Sequence, residues 1–313
     1  MSVSTRHVDL DVVVVCEINV DIVVSGLAHP PVFGAEHLVD GVTLTAGGSG
    51  ALTATDLAAL GLRVGVCGLV GDDPFGRHMR DHFAHYGIDT SGVVVDPAVA
   101  TGASVLLSSN QDRAILTVLG AMAAFGLDRL RWQTLARARH LHLSSHFLQA
   151  SLRPDVPTLL ARAHALGLTT SADTGHDPAE TWQIGDLLQG LDIFLPNEVE
   201  ACAITGAQDA AAALELLATH VPVVVVKCGG KGAMAARGAE RVQAPGFPIT
   251  VRDTTGAGDA FDAGFLRSML AGERLLDAVR YGNACGALTA AHVGGSGAID
   301  QARVAALLGS MDR

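Results

Sequence analysis

The stretch VRDTTGAGDAF, residues 251–261, sets two threonines, two glycines and an alanine directly before a carboxylate. An apolar pattern begins only afterwards, with Phe261, Phe265, Leu266, Met269 and Leu270 at helical spacing. The turn Gly256-Ala257-Gly258 therefore falls at a helix N-terminus, where unpaired backbone N–H groups and the helix dipole favour an anion. Small side chains let a phosphate come close to that backbone. A carboxylate beside such a site would repel a resting anion, so Asp259 is poorly suited to plain phosphate binding. It suits the acceptance of a proton from a hydroxyl attacking the phosphorus, late in the step, as charge develops. The structural alternative is an N-cap aspartate on a glycine-rich turn. No G-x-x-x-x-G-K-[ST] loop occurs, and Phe261 stands where a dinucleotide fingerprint needs its third glycine.

Other residues have the types that such chemistry needs. Asn19 and Asp21 are two apart, so on a strand they face one side, and an amide with a carboxylate can grip vicinal hydroxyls. Gly47 and Gly48 leave room for a sugar to approach the backbone. Asn197 and Glu200 are three apart and share a helix face, which alone is an ordinary helix start. Lys227 ends a valine run and leads into a glycine-rich turn with Gly229 and Gly232; it reads equally as a phosphate contact or as solvent charge. Asp173 and Gly175 lie just past a strand, where open α/β sheets place their sites; the sequence gives Asp173 no role. His140 and His142 alternate on one strand with His146 beyond, and nothing in the sequence completes a zinc set around them.

These residues need a scaffold. Apolar runs at 12–17, 63–71, 140–145, 168–173, 192–197 and 221–227 read as buried strands. FPITV, 247–251, reads as a short β-like stretch before the glycine-rich turn. Helical patterns at 50–60, 74–86, 154–166 and 207–219 lie between the strands, with Gly61, Gly87 and Gly167 as stops. This alternation predicts an α/β fold with a mostly parallel central sheet and helices on both faces. Segments 18–46 and 93–120 break the rhythm and read as strand pairs without an intervening helix. They predict a small β-sheet flap on a single domain spanning 1–313; edge strands of the main sheet are the alternative.

Composition removes other classes. The 313 residues are 49% hydrophobic and only 4% aromatic, with a formal charge of −11 and no basic run. Nucleic acid and an anionic membrane are therefore not expected partners. The five cysteines are odd in number, widely spaced and without a CxxC pair, which suits reduced thiols in the cytoplasm. No signal h-region and no membrane-length apolar run are present.

With these residues in view, the chain resembles the ribokinase-like (PfkB) carbohydrate kinases. DTTGAGDAFDAGF is similar almost letter for letter to that family's C-terminal signature. EINVDIVVSG and AGGSGALTA resemble its sugar-binding region, and GLRVGVCGLVGDDPFGR its next signature. The resemblance covers nearly the whole chain. It implies a ribokinase-like fold with a β-sheet lid, and transfer of the ATP γ-phosphate to a sugar or nucleoside hydroxyl. It assigns Asp259 as catalytic base, Gly256, Ala257 and Gly258 as anion hole, and Asn19, Asp21, Gly47 and Gly48 to the sugar. It also implies Mg²⁺ held largely through its waters near Asn197 and Glu200. ATP contacts fall on Lys227, Gly229, Gly232 and Asn283, the last beside adenine, and a K⁺ site on Asp253 and Thr255. The sequence departs from the pattern at Leu52, where relatives often carry Asn, at Lys227, where they carry a small hydroxyl residue, and at Gly175, where Asn is frequent. Leu52 keeps a nucleoside acceptor open. A non-catalytic sensor is the third alternative, although a sensor has no need of a base. Lid residues, Asn110 and Arg113 among them, are expected to select the sugar. Pairing of lids in a homodimer would hide their edges and apolar side.

Overall fold

The computed structural model of the chain describes residues 7–109, 113–295 and 297–311. Strand β1, Leu10–Val15, shows how the core forms. Its valines are fully buried, Val12 and Val14 on one side and Val13 and Val15 on the other, each pair within a separate apolar cluster. A strand with no polar face fits only the interior of a sheet covered on both sides.

That sheet has nine strands. Besides β1 they are β4, Val64–Val70; β5, Asp89–Val95; β8, Ala138–Leu143; β9, Thr169–Ala172; β10, Ile193–Phe194; β11, Val223–Lys227; β12, Ala233–Arg237; and β13, Glu240–Ala244. Their order is β13-β12-β11-β10-β9-β8-β1-β4-β5, parallel except for the pairs β11–β12 and β12–β13. The chain leaves β1 toward β4 and β5 and later returns on the other side through β8 to β11. The strand order thus reverses beside β1, and a crevice opens outside the carboxyl ends there.

A separate four-stranded sheet is built from β2, Asn19–Leu27; β3, Gly41–Gly47; β6, Gly102–Ser109; and β7, Arg113–Val118, in the order β3-β2-β6-β7. Val93 to Val95 still belong to β5 of the large sheet, and the second segment joins the small sheet only at Gly102. Asn110 lies outside the described residues, and of Arg113 only the backbone is described.

Helices cover both faces of the large sheet. They are α1, Ser49–Ala59; α2, Pro74–His85; α3, Ala121–Ala124; α4, Trp132–Leu135; α5, Val156–Ala165; α6, Glu198–Thr205; α7, Ala210–Leu217; α8, Ala257–Leu270; α9, Leu275–Ala290; and α10, Gln301–Met311. Side chains fix several starts. Asp73 accepts from the Gly76 amide at 2.8 Å, and Asp209 from the Ala212 amide at 2.8 Å, so α7 begins later than its alanine-rich pattern suggests. Gly61, Gly87 and Gly167 end α1, α2 and α5 with φ of 88°, 68° and 79°. No described helix is long and apolar enough to cross a membrane. FPITV is not a strand. Its alternation is real, but Phe247, Ile249 and Val251 line a cavity instead of joining a ladder.

His140 and His142 are buried inside the large sheet. His140 shares hydrogen bonds of 2.7 Å with Thr169 and Ser171, and His142 one of 2.8 Å with Ser171. Burial pushes their pKa values down to about 3 and about 4, so both are neutral structural residues.

Candidate active site

The crevice at the strand ends opens into a cavity of about 1150 Å³ between the large sheet and the lid. That is slightly above the usual range of ligand sites, about 300–1,000 Å³. Strand geometry delivers side chains to it in sequence. Glu17 and Asn19 follow β1, Ser145 follows β8, Asp173 follows β9, Asn197 follows β10 and Lys227 ends β11; all line the cavity.

The glycine-rich turn lies where the sequence suggests. Gly256 is the N-cap of α8 with φ 73°, a left-handed value that a side chain would strain. A Cβ on Gly258 would meet nothing closer than the Lys227 ammonium, 3.8 Å away, so its backbone faces open space. The first amides of α8 are thus accessible to an anion. Asp259 stands on the first turn, half-buried, and opens onto the same cavity. Burial, and then the negative charge of Asp173, raises its pKa to about 8; the Ser49 hydroxyl and the Lys227 charge oppose the rise.

Lys227 is not solvent charge. Its Nζ lies 2.5 Å from Asp173 Oδ2 and 3.0 Å from both oxygens of Asp262, with 11% of the side chain exposed. Burial would strip its proton, but the surrounding carboxylates raise its pKa, so it stays charged. Burial also works against Asp173, yet Lys227 holds it below the usual carboxylate range. Asp262, fully buried, is pushed well up by burial despite the same lysine. Lys227 and Asp173 thus favour each other's charged forms, while burial works against ionisation of Asp262 beside them. The ammonium reaches the cavity directly beneath the anion-accessible turn.

Asn197 and Glu200 form a reciprocal capping box at the start of α6. The Glu200 amide donates to Asn197 Oδ1 at 2.9 Å and the Asn197 amide to Glu200 Oε2 at 2.9 Å. Asn197 Nδ2 and Thr174 Oγ1 donate to the same carboxylate at 2.7 and 3.2 Å. Burial and then Asp173 raise Glu200 to about 7. Both of its oxygens already have partners, and among the described residues no three His, Cys, Asp or Glu converge as a metal cage. Such a donor set fits a hydrated Mg²⁺ shared with substrate phosphates, not an all-protein site.

Asn19 and Asp21 face one side of β2, with Asn19 Nδ2 donating to Asp21 Oδ1 at 3.1 Å. Burial raises Asp21 to about 6. Gly48 lines the cavity with them, whereas Gly47 is not on its wall: a side chain there would collide with Asp21. Gly229 and Gly232 border the cavity too, but Gly232 is glycine for a backbone reason. Its φ is 95°, and a Cβ would overlap the backbone of Ala244 to Gly246. Gly232→Ala should cost about 1–3 kcal/mol of stability, read as a lower denaturation midpoint. Asn283 lies on the wall, yet its Nδ2 is spent on the carbonyls of Ala244 and Pro245 at 3.1 and 3.2 Å. Asp253 is off the wall. Its oxygens accept from the amides of Thr255 and Gly294 at 2.9 and 3.1 Å, so it shapes the loop before the turn. His146 is off the wall as well, while its neighbour Ser145 is on it.

Sequence reading missed Glu17, Ser49, Ser145 and Asp262. Asp262 carried a signal, since it lies three residues after Asp259 on the same helix face.

A glycine-rich helix start open to the cavity, a carboxylate beside it, and an amide and a carboxylate on the lid suit a phosphotransferase with a hydroxyl acceptor. The family comparison agrees with that class, since residues 9–302 match the model described as pfkB family carbohydrate kinase. The chain belongs to this family. It is 34% identical over 266 residues to an ATP-dependent ribose-1-phosphate kinase of Halopiger xanaduensis, covering 84% of this chain and 86% of that protein. It is 32% identical over 239 residues to a fructokinase of Klebsiella pneumoniae, covering 72% and 77%. Among solved structures, Arabidopsis thaliana ribokinase complexed with ribose and ATP superimposes with a TM-score of 0.83 at 25% identity, over 96% of this chain and 98% of that one. The fold is thus ribokinase-like, with a large mostly parallel sheet and a smaller lid sheet, and the protein is a carbohydrate kinase.

Proposed function

We propose that the protein is a single catalytic unit that transfers the γ-phosphate of ATP to a hydroxyl of a small sugar. The observation that carries this reading is the pairing, on one cavity, of the open amides of Gly256 to Gly258 with the carboxylate of Asp259. The amides hold the migrating phosphoryl group, and the Lys227 ammonium adds positive charge beneath it. Asn19 and Asp21 orient the sugar, and Asp259 takes the hydroxyl proton as the P–O bond forms. Asn197 and Glu200 would hold a hydrated Mg²⁺, which neutralises phosphate charge when bound. A K⁺ ion would lie against the loop that Asp253 and Thr255 shape. Gly229, Gly232 and Asn283 form the nucleotide end, beside Phe247 and Ile249. Five free cysteines suit a cytoplasmic setting.

A panel assay tests the reading: ATP-dependent product formation with pentoses, ketoses and nucleosides as acceptors. Turnover with a free sugar is expected, and ATP turnover with none of them would overturn it. A nucleoside acceptor is the second reading, favoured by Leu52, which lies on the wall with Leu106, Ile115 and Leu119.

The outer lid is apolar, with Val42, Leu116 and Val118 between 60% and 64% exposed. We extend the proposal to a homodimer through this sheet. Light scattering should give twice the chain mass, and a monomer at assay concentration would remove the extension.

A further inference from the structure

Glu17 is not used by the chemistry above. It follows β1, is 2% exposed and lines the cavity beside Asn19 and Gly48. Its Oε1 accepts from Ser145 Oγ at 2.6 Å and from the Gly50 amide at 3.3 Å. Its Oε2 is buried and has no partner. A buried carboxylate oxygen without a partner is costly and calls for an explanation. Ser145 adds a second observation. It is held at φ 48°, ψ 50°, a left-handed conformation rare outside glycine, and it too lines the cavity. Strain of this kind concentrates at functional sites. Here it aims the hydroxyl that fixes Glu17.

The charge of the wall narrows the guest. Glu17, Asp21, Asp173, Glu200 and Asp259 all line the cavity, and Lys227 is the one Lys or Arg on it among the described residues. Lys227 is already held by Asp173 and Asp262. At the end formed by Glu17, Asn19 and Asp21, acceptor oxygens complement hydroxyl hydrogens, and no Lys or Arg among the described residues faces a phosphate dianion there.

We infer that Glu17, oriented by Ser145, is a further acceptor-binding residue whose idle oxygen receives a hydroxyl hydrogen of an unphosphorylated sugar. The inference rests on the kinase reading and deepens it. It sets this chain apart from its relative named for ribose 1-phosphate.

The test compares the wild-type chain, Glu17→Gln and Ser145→Gly for the KM of acceptor, the KM of ATP and thermal midpoint. The acceptors are free pentoses and hexoses and their 1- and 6-phosphates. Glu17→Gln keeps an oxygen for Ser145 but puts a donor where the sugar needs an acceptor. It should raise the sugar KM about 10- to 100-fold and leave the ATP KM unchanged. Ser145→Gly relieves the left-handed backbone, so its thermal midpoint should hold or rise while the sugar KM still climbs. A merely structural pair would not separate these readouts. The inference is overturned if both variants keep the wild-type sugar KM, or if the wild type prefers a sugar phosphate to every free sugar. In either case phosphoryl transfer itself persists, so the kinase reading survives. Absence of transfer to any acceptor by the wild type would remove both.

Discussion

Asp259→Asn should lower kcat about 10²- to 10⁴-fold, the range for losing a positioned general base. The variant keeps the size of the side chain and the helix start, so its ATP affinity should stay within about threefold of wild type, since the proposal gives phosphate binding to the amides. Because the ionised form is the base, and burial with Asp173 raises its pKa to about 8, activity should depend on pH with a definite sign. kcat/KM should climb as pH rises toward about 8 and level off above it. Glu200 titrates at about 7 and adds to the fall on the acid side. A flat profile between pH 6 and 9, or an Asp259→Asn variant with parental kcat, would show that another group takes the proton.

Lys227→Met should be the most destabilising single change at the site. It leaves Asp173, which is ionised because of the lysine, and Asp262 facing one another in a buried setting. Breaking a buried pair from one side costs about 3–5 kcal/mol, because the surviving charge has no partner. The loss should be visible as a lower urea midpoint at unchanged slope. Asp173→Asn added to Lys227→Met removes the stranded charge and should recover much of the stability. Activity should not recover with it, because the cation beneath the anion-accessible turn is still missing. If the double variant regains kcat together with stability, Lys227 serves folding alone.

The scaffold was largely legible in the sequence because its signals are local. The valine runs of β1 and β11 have no polar face, and that demands a doubly covered sheet. The glycines after α1, α2 and α5 mark turns that a side chain would strain. The run DTTGAGDAF needed no fold at all to suggest an anion next to a base. What the sequence did not convey depends on distance across the fold. Lys227, Asp173 and Asp262 come from β11, the end of β9 and α8, and only the packed sheet brings them within 3.0 Å. Read alone, Lys227 had to be left between phosphate contact and solvent charge. Asn283 and Asp253 are ligand positions by resemblance, and only the fold shows that Asn283 Nδ2 and the Asp253 oxygens meet backbone groups. Glu17 ends the run 12–17 and opens the stretch EINVDIVVSG, and only the fold shows that its second oxygen has no partner.

The lid is made of two inserts, β2–β3 and β6–β7, and each returns to the large sheet at both ends. Asn19 and Asp21 belong to these inserts, while Asp259, Lys227 and the first amides of α8 belong to the main body. On the proposed roles, the lid carries part of the sugar contact, while the main body carries the reaction and the contacts from Glu17 and Ser145. If those roles hold, changes to lid strands should shift which sugar is chosen while the apparatus that moves the phosphate stays in place.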